Sequence, residues 1–142
     1  FSLKINPSTK TFQAIRIFVN KQISELISGI TKATKLLKPG GKIIVISFHS
    51  IEDKIVKFFF MNYSKNRSRP SRYLPYDYDE KGTLFEKYFN KVIKPSKKEV
   101  NENYPSRSAK LRYAIRNSNN FIYPSRLLQN FSKYLELEGI NV

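Results

Sequence analysis

The side chains best suited to chemistry crowd into one short stretch. Ser47-Phe48-His49-Ser50-Ile51-Glu52-Asp53 places the only histidine between two hydroxyls and just ahead of two carboxylates. Histidine titrates near neutral pH, so such a group could move a proton or hold a polar ligand. The same residues also fit a plainer task. Ser50, followed three residues later by Asp53, has the spacing of a capping box, in which side chains satisfy the free amides of a helix start. In that reading His49 hydrogen-bonds to backbone. Taken alone, the residues lean slightly towards capping.

Cationic side chains form a second set. Ser106-Arg107-Ser108-Ala109-Lys110-Leu111-Arg112 gathers Arg107, Lys110 and Arg112 around the start of a strand. That pattern suits a phosphate clamp, or equally an edge strand protected by charge. Arg16 lies one helical turn after Phe12, on a face that could meet RNA or only solvent. The whole chain of 142 residues carries 26 Lys and Arg against 11 acids, a net charge of +15. Such an excess favours polyanionic partners. Most of the basic residues fall between Lys54 and Arg116, interleaved with Tyr63, Tyr73, Tyr76, Tyr78, Tyr88, Tyr104 and Tyr113. Cations engage phosphates and aromatic faces stack on unpaired bases, so the mixture points to RNA. An anionic membrane surface ranks lower, because no basic amphipathic helix is evident.

Several classes are excluded. With no cysteine and one histidine, the chain holds no disulfide, no thiolate metal site and no multi-histidine metal site; a reducing compartment fits. Gly40-Gly41 precedes a strand, whereas nucleotide-binding glycines follow one and open a helix. No apolar run approaches the ~18 residues of a membrane span.

The elements that must position these residues follow from periodicity. Asn6-Pro7-Ser8-Thr9 is a helix start, with Asn or Ser capping and Pro in the first turn. Phe12, Ile15 and Val19 recur at helical spacing, and the stripe resumes with Ile23, Leu26, Ile27, Ile30, Ala33 and Leu37. Asn20 either caps a second helix or lies within one bent helix. Pro39-Gly40-Gly41 ends it. Ile43–Phe48 reads as a continuous apolar strand covered on both faces. A helix follows, carrying Ile55, Val56, Phe59, Phe60 and Tyr63. Ser64–Thr83 is a long polar loop, too long for a plain connector. Leu84–Ile93 reads as a strand, Lys94–Arg107 as a second polar loop, and Ala109–Arg116 as a half-exposed strand. That last strand alternates Lys110, Arg112 and Ala114 against Leu111, Tyr113 and Ile115. A final amphipathic helix runs from about Ser125 through Leu127, Leu128, Phe131 and Leu135 to Gly139.

The order helix, strand, helix, strand, strand, helix is α/β. Three strands are few for a doubly wound sheet, and the continuous strand calls for parallel neighbours. The chain starts at Phe1 and its sole methionine is Met61. A missing N-terminal half is therefore expected.

Three stretches together, "NPSTKTFQAIRIFVN", "LLKPGGKIIVISFHSIEDKIVKFFF" and "NYPSRSAKLRYAIR", closely resemble the C-terminal half of one family. These are the bacterial small-subunit ribosomal RNA cytosine-N4 methyltransferases, the RsmH or MraW family. The resemblance covers roughly Asn6 to Arg116. It implies a cytoplasmic, S-adenosyl-L-methionine-dependent enzyme acting on the small ribosomal subunit by in-line transfer of a methyl group to a cytidine N4. The implied fold is the C-terminal half of a Rossmann-like class I methyltransferase: its last three strands plus flanking helices, incomplete by itself. Residues 1–20 would end a helical insert, 21–116 would belong to the methyltransferase domain, and 117–142 would form a helical extension. Lys42–Phe48 would be the fifth strand, with Leu84–Ile93 and Ser108–Arg116 the sixth and seventh. The family's Gly-rich cofactor loop, ribose-binding acid and catalytic-loop motif would all lie upstream. No cofactor-binding residue is then expected here, and the chain alone should have little or no activity. Where the family has His-Pro-Ala-Thr-Arg, this sequence reads Asn6-Pro7-Ser8-Thr9-Lys10. Ser47, His49 and Ser50 are the expected pocket edge, and Arg16, Arg107, Lys110 and Arg112 the expected RNA contacts. The rival is a basic RNA-binding module of ribosome assembly without chemistry.

Overall fold

The computed structural model describes residues 7–65 and 82–140. Most of the expected loop Ser64–Thr83 lies outside them, as does Asn6. Helix α1 spans Pro7–Val19 and α2 spans Gln22–Leu36. They are separate helices. Lys21 sits between them at φ 47°, a left-handed conformation that stops one helix before the next begins. Strand β1 (Lys42–Ser47) and helix α3 (Ser50–Asn62) follow, then β2 (Phe85–Tyr88). A short helix α4 (Lys97–Glu102) and a 3-10 turn (Tyr104–Ser108) lead into β3 (Lys110–Arg116). The expected final helix is two short ones, α5 (Ser125–Asn130) and α6 (Ser132–Leu137), broken at Phe131.

The sheet order is β1-β3-β2, with β3 central and antiparallel to both neighbours. Among the described residues β1 has no parallel neighbour, and its outer edge is unpaired. β2 is shorter than the sequence suggests. A register irregularity between Phe85 and Lys87 disturbs the pairing, and beyond Tyr88 only an isolated bridge from Ile93 to Leu111 continues it.

The two faces of the sheet differ. Ile43 and Ser47 of β1, Arg112, Ala114 and Arg116 of β3, and Phe85 and Tyr88 of β2 are buried, on the side where α3 packs. The other side carries Ile44 and Ile46, more than half exposed, opposite Tyr113 and Leu111. Among the described residues nothing covers this second face of β1, in line with the expectation that this chain does not supply the neighbours its continuous apolar run calls for. The alternation in β3 holds: Arg112, Ala114 and Arg116 turn inward, and Leu111, Tyr113 and Ile115 lie on the more open side. Asp53 of α3 meets Arg112, whereas backbone carbonyls and Asn117 meet Arg116.

The core joins α2, α3, β2 and the tail. Phe59 and Phe60 of α3 meet Phe85 edge-on, with ring centroids 5.4 Å and 5.2 Å apart. Each such pair contributes about 1 kcal/mol beyond its area burial. Ile23, Ile27, Leu127, Phe131 and Leu135 complete the cluster. The apolar stripe of α1 stays outside it: Phe12, Ile15, Phe18 and Val19 are all exposed. Gly40 and Gly41 form a plain turn. Gly40 has φ 79°, and a Cβ on Gly41 would sit 2.8 Å from Leu37 and 2.9 Å from the Lys38 carbonyl. This leaves the chain free to enter β1 directly.

Behind β3 lies a buried polar knot. Arg116 is 5% exposed and donates to the carbonyls of Leu84, Asn117 and Asn119 and to Asn117 Oδ1. Asn117 in turn donates to Thr83 and accepts from the Asn119 amide. Burial lowers the pKa of Arg116, and carbonyl oxygens do the work of a counter-ion. Asn117→Ala would strip several of these groups of their partners at once. A loss of about 2–4 kcal/mol is expected from urea denaturation, with the fold retained.

Candidate functional site

The β1–α3 corner is a capping box, shifted one residue from the expected register. His49, not Ser50, is the N-cap, and Glu52, not Asp53, completes the box. His49 Nδ1 accepts from the Glu52 amide at 3.3 Å. Glu52 Oε2 accepts from the amides of Phe48 at 2.9 Å and His49 at 3.4 Å. His49 Nε2 lies 3.0 Å from Glu52 Oε1 without hydrogen-bond alignment, an ion pair only when the ring is protonated. The ring is 8% exposed. Burial lowers its pKa; the Glu52 charge opposes this and the Arg16 charge reinforces it. Nδ1 is thus held as an acceptor. Ser50 is exposed as the first residue of α3, while Ser47 is buried and donates to the Lys110 carbonyl at 3.4 Å. The three expected pocket-edge residues are neighbours, but only Ser50 is open to solvent.

The shift in register frees Asp53 for a different task. Its Oδ1 accepts from Arg112 Nε at 2.6 Å, and its Oδ2 from Arg112 Nη2 and Lys110 Nζ, both at 3.2 Å. Arg112 also donates to Tyr88 Oη at 2.7 Å and to the Asn90 carbonyl at 3.2 Å. Burial alone would raise the Asp53 pKa, but the hydrogen bonds and charges of Arg112 and Lys110 outweigh it and hold the carboxyl low. Asp53 in return raises Arg112. Arg112 is therefore bound within the fold, its side chain 7% exposed, while the Lys110 side chain keeps a third of its surface open.

The remaining cations face outward. Arg107 is exposed and its guanidinium sits 4.2 Å over the ring of Tyr104, itself 65% exposed. Arg16 is exposed on α1, near enough for its charge to reach His49. Between the corner and the 3-10 turn lies an open depression of about 410 Å³. Ile46, Phe48, Ile93, Pro95 and Leu111 line it. Phe48 is half exposed there. The four expected RNA contacts thus divide: Arg16 and Arg107 are presented, Lys110 is shared and Arg112 is internal. Sequence reasoning missed Glu52 as the keystone of the corner, although its place three residues after a histidine is a capping-box spacing. Tyr88 as a partner of Arg112 left no signal, since the pair is 24 residues apart.

Both titrations destabilise the fold in acid. The folded chain releases protons from His49 and Asp53 more readily than the unfolded chain does. Stability is therefore complete above both unfolded pKa values and falls as pH drops, through the histidine range and then the carboxylate range. Urea midpoints measured against pH should show two such declines. Asp53→Asn should remove the lower one and cost about 3 kcal/mol at neutral pH, because Arg112 is left buried without its anion.

The profile of the MraW methylase family matches residues 2–117. The chain is 42% identical over 136 residues to a protein of Bartonella quintana named ribosomal RNA small subunit methyltransferase H, across 96% of this chain and 40% of that relative. A protein of the same name from Ehrlichia canis is 46% identical over 112 residues, across 79% of this chain and 35% of its own length. The chain thus spans well under half the length of these curated relatives. The matched residues take in α1, α2, the β1–α3 corner, the Arg107–Tyr104 turn and all of β3. The chain belongs to the MraW methylase family.

Proposed function

We propose that this chain is the sheet-closing, RNA-facing portion of an S-adenosyl-L-methionine-dependent methyltransferase. Its substrate is the N4 amine of a cytidine in small-subunit ribosomal RNA, and it works in the cytoplasm. Family membership carries the reading, joined to one structural observation: among the described residues, the order β1-β3-β2 leaves the outer edge and one apolar face of β1 bare. In a Rossmann-like sheet β1, β2 and β3 take the places of the fifth, sixth and seventh strands. The remainder of the longer protein then pairs with β1 and covers Ile44 and Ile46. Residues 1–20 end a helical insert, 21–116 belong to the methyltransferase domain and 117–142 form its helical extension.

The described residues do not fit a cofactor site by themselves. No Gly-rich turn follows a strand among them, and both carboxylates at the corner are engaged, Glu52 in the cap and Asp53 with Arg112 and Lys110. The cofactor, which supplies the methyl group, is held by the rest of the protein. This chain's residues grip and shape. Arg107 and Arg16 meet phosphates, and Lys110 adds partial charge. The Tyr104–Arg107 pair offers a stacking face for an unpaired base. Ser50 and Phe48 border the substrate pocket, and Ser47 and His49 keep that edge in shape. His49 acts here through its cap, because its ring is buried and Nδ1 is already engaged.

The tests use the full-length enzyme. Arg107→Ala should weaken RNA binding and lower the slope of log affinity against log salt by about one, with little change in stability. Arg112→Ala should do the reverse, unfolding at lower urea with the slope unchanged. If Arg107→Ala leaves binding and slope untouched, the RNA-grip reading is wrong. His49→Ala should cost about 1 kcal/mol of stability. His49→Asn replaces one good cap by another and should restore both stability and methylation rate. An Asn variant that folds normally but stays slow in methylation would assign the imidazole a direct part in the chemistry.

A further inference from the structure

Helix α2 starts without a local cap. Lys21 holds the N-cap position in a left-handed conformation and its side chain accepts no bond from the first turn. The anion that meets those amides comes from the other end of the chain. Ile23 N donates to Glu138 Oε1 and Ser24 N to Glu138 Oε2, each at 2.9 Å. Glu138 is 5% exposed. Its backbone is set by a tight turn after α6, in which Gly139 adopts φ 75° and Ile140 N donates to the Leu135 carbonyl. Leu135 is buried in the core. A carboxylate delivered this rigidly to a helix N-terminus satisfies two amides and opposes the positive end of the helix dipole.

The consequence reaches α1. Only Asn20 and Lys21 join the two helices, through bonds from Asn20 N to the Arg16 carbonyl and from Lys21 N to the Phe18 carbonyl. The apolar residues Phe12, Ile15, Phe18 and Val19 of α1 are exposed, and its core contact is Ile17. With so little packing, the direction of α1 is set at the joint. Arg16 lies in its last turn.

We propose that Glu138 is a positioning residue: by clamping the first turn of α2 it fixes the α1–α2 joint, and with it the direction of α1 and the place of Arg16 in its last turn. The link from Arg16 to RNA rests on the function proposed above; the link from Glu138 to Arg16 does not.

The experiment compares Glu138→Ala, Arg16→Ala and the double variant in the full-length protein, with Glu138→Gln as a milder substitution should the alanine variant fail to fold. Three readouts are taken: amide exchange at Ile23 and Ser24, the His49 titration followed by NMR, and the salt slope of RNA binding. Glu138→Ala should speed exchange at both amides. It should raise the His49 titration, as Arg16→Ala does by removing a nearby cation, and the double variant should go no further than Arg16→Ala. The salt slope should fall by about one in each variant, without adding in the double. Glu138→Gln should show the same changes in smaller degree. Faster amide exchange with an unmoved His49 titration, or additive effects in the double variant, would overturn the proposal and leave Glu138 a cap alone. If Arg16→Ala shifts His49 but leaves RNA affinity intact, the RNA role of Arg16 fails while the positioning role stands.

Discussion

Asp53 ties helix α3 to strand β3, and much of the architecture hangs on that bond. β3 is the middle strand, so whatever sets its register sets the sheet. Arg112 faces inward from its centre, where an unpaired cation would be very costly to bury. Asp53 neutralises it, Tyr88 and Asn90 accept further hydrogen bonds from it, and β2 and β3 are tied together under one helix. The geometry is possible only because α3 begins one residue early. With His49 as cap, Asp53 is no longer needed at the helix start and turns towards the sheet.

Polar groups therefore form the scaffold of the corner, and its open surfaces are largely apolar or aromatic. Ile46, Phe48 and Leu111 present a greasy floor, flanked by an exposed tyrosine under an arginine. Charges that are locked into the fold cannot be drawn off by an outside anion, so the corner keeps its shape as the electrostatic environment changes. Arg16 and Arg107, left outside, stay open to solvent.

Local patterns were legible in the sequence, and long-range partnerships were not. The buried face of α3 (Ile55, Val56, Phe59, Phe60, Tyr63) follows directly from helical spacing, and β1 from its β-branched run. The break between α1 and α2 could be placed near Asn20 but not resolved, because a left-handed lysine has no sequence signature. The stripe on α1 resembles that of α2, yet only α2 is covered; periodicity reports that a face wants burial, not whether a partner is at hand. Alternation in β3 correctly separated two sets of residues. Which set meets the helix was not legible, since an arginine facing a buried carboxylate looks the same in sequence as one facing water. α4 was hidden in a stretch too polar and short to show a period. The corner's residues were found, but their roles depended on a one-residue choice of cap, and hydroxyl preference pointed to Ser50 where an imidazole was used.

Glu138 also bears on how the molecule is made. The first turn of α2 is synthesised more than a hundred residues before the side chain that completes it. Until that side chain arrives, water meets the two amides in its place. Closing so long a loop is slow, and it rewards the chain only once Leu127, Phe131 and Leu135 have docked. The start of α2, and with it the joint that directs α1, thus takes its final form only after residues 127–138 have docked.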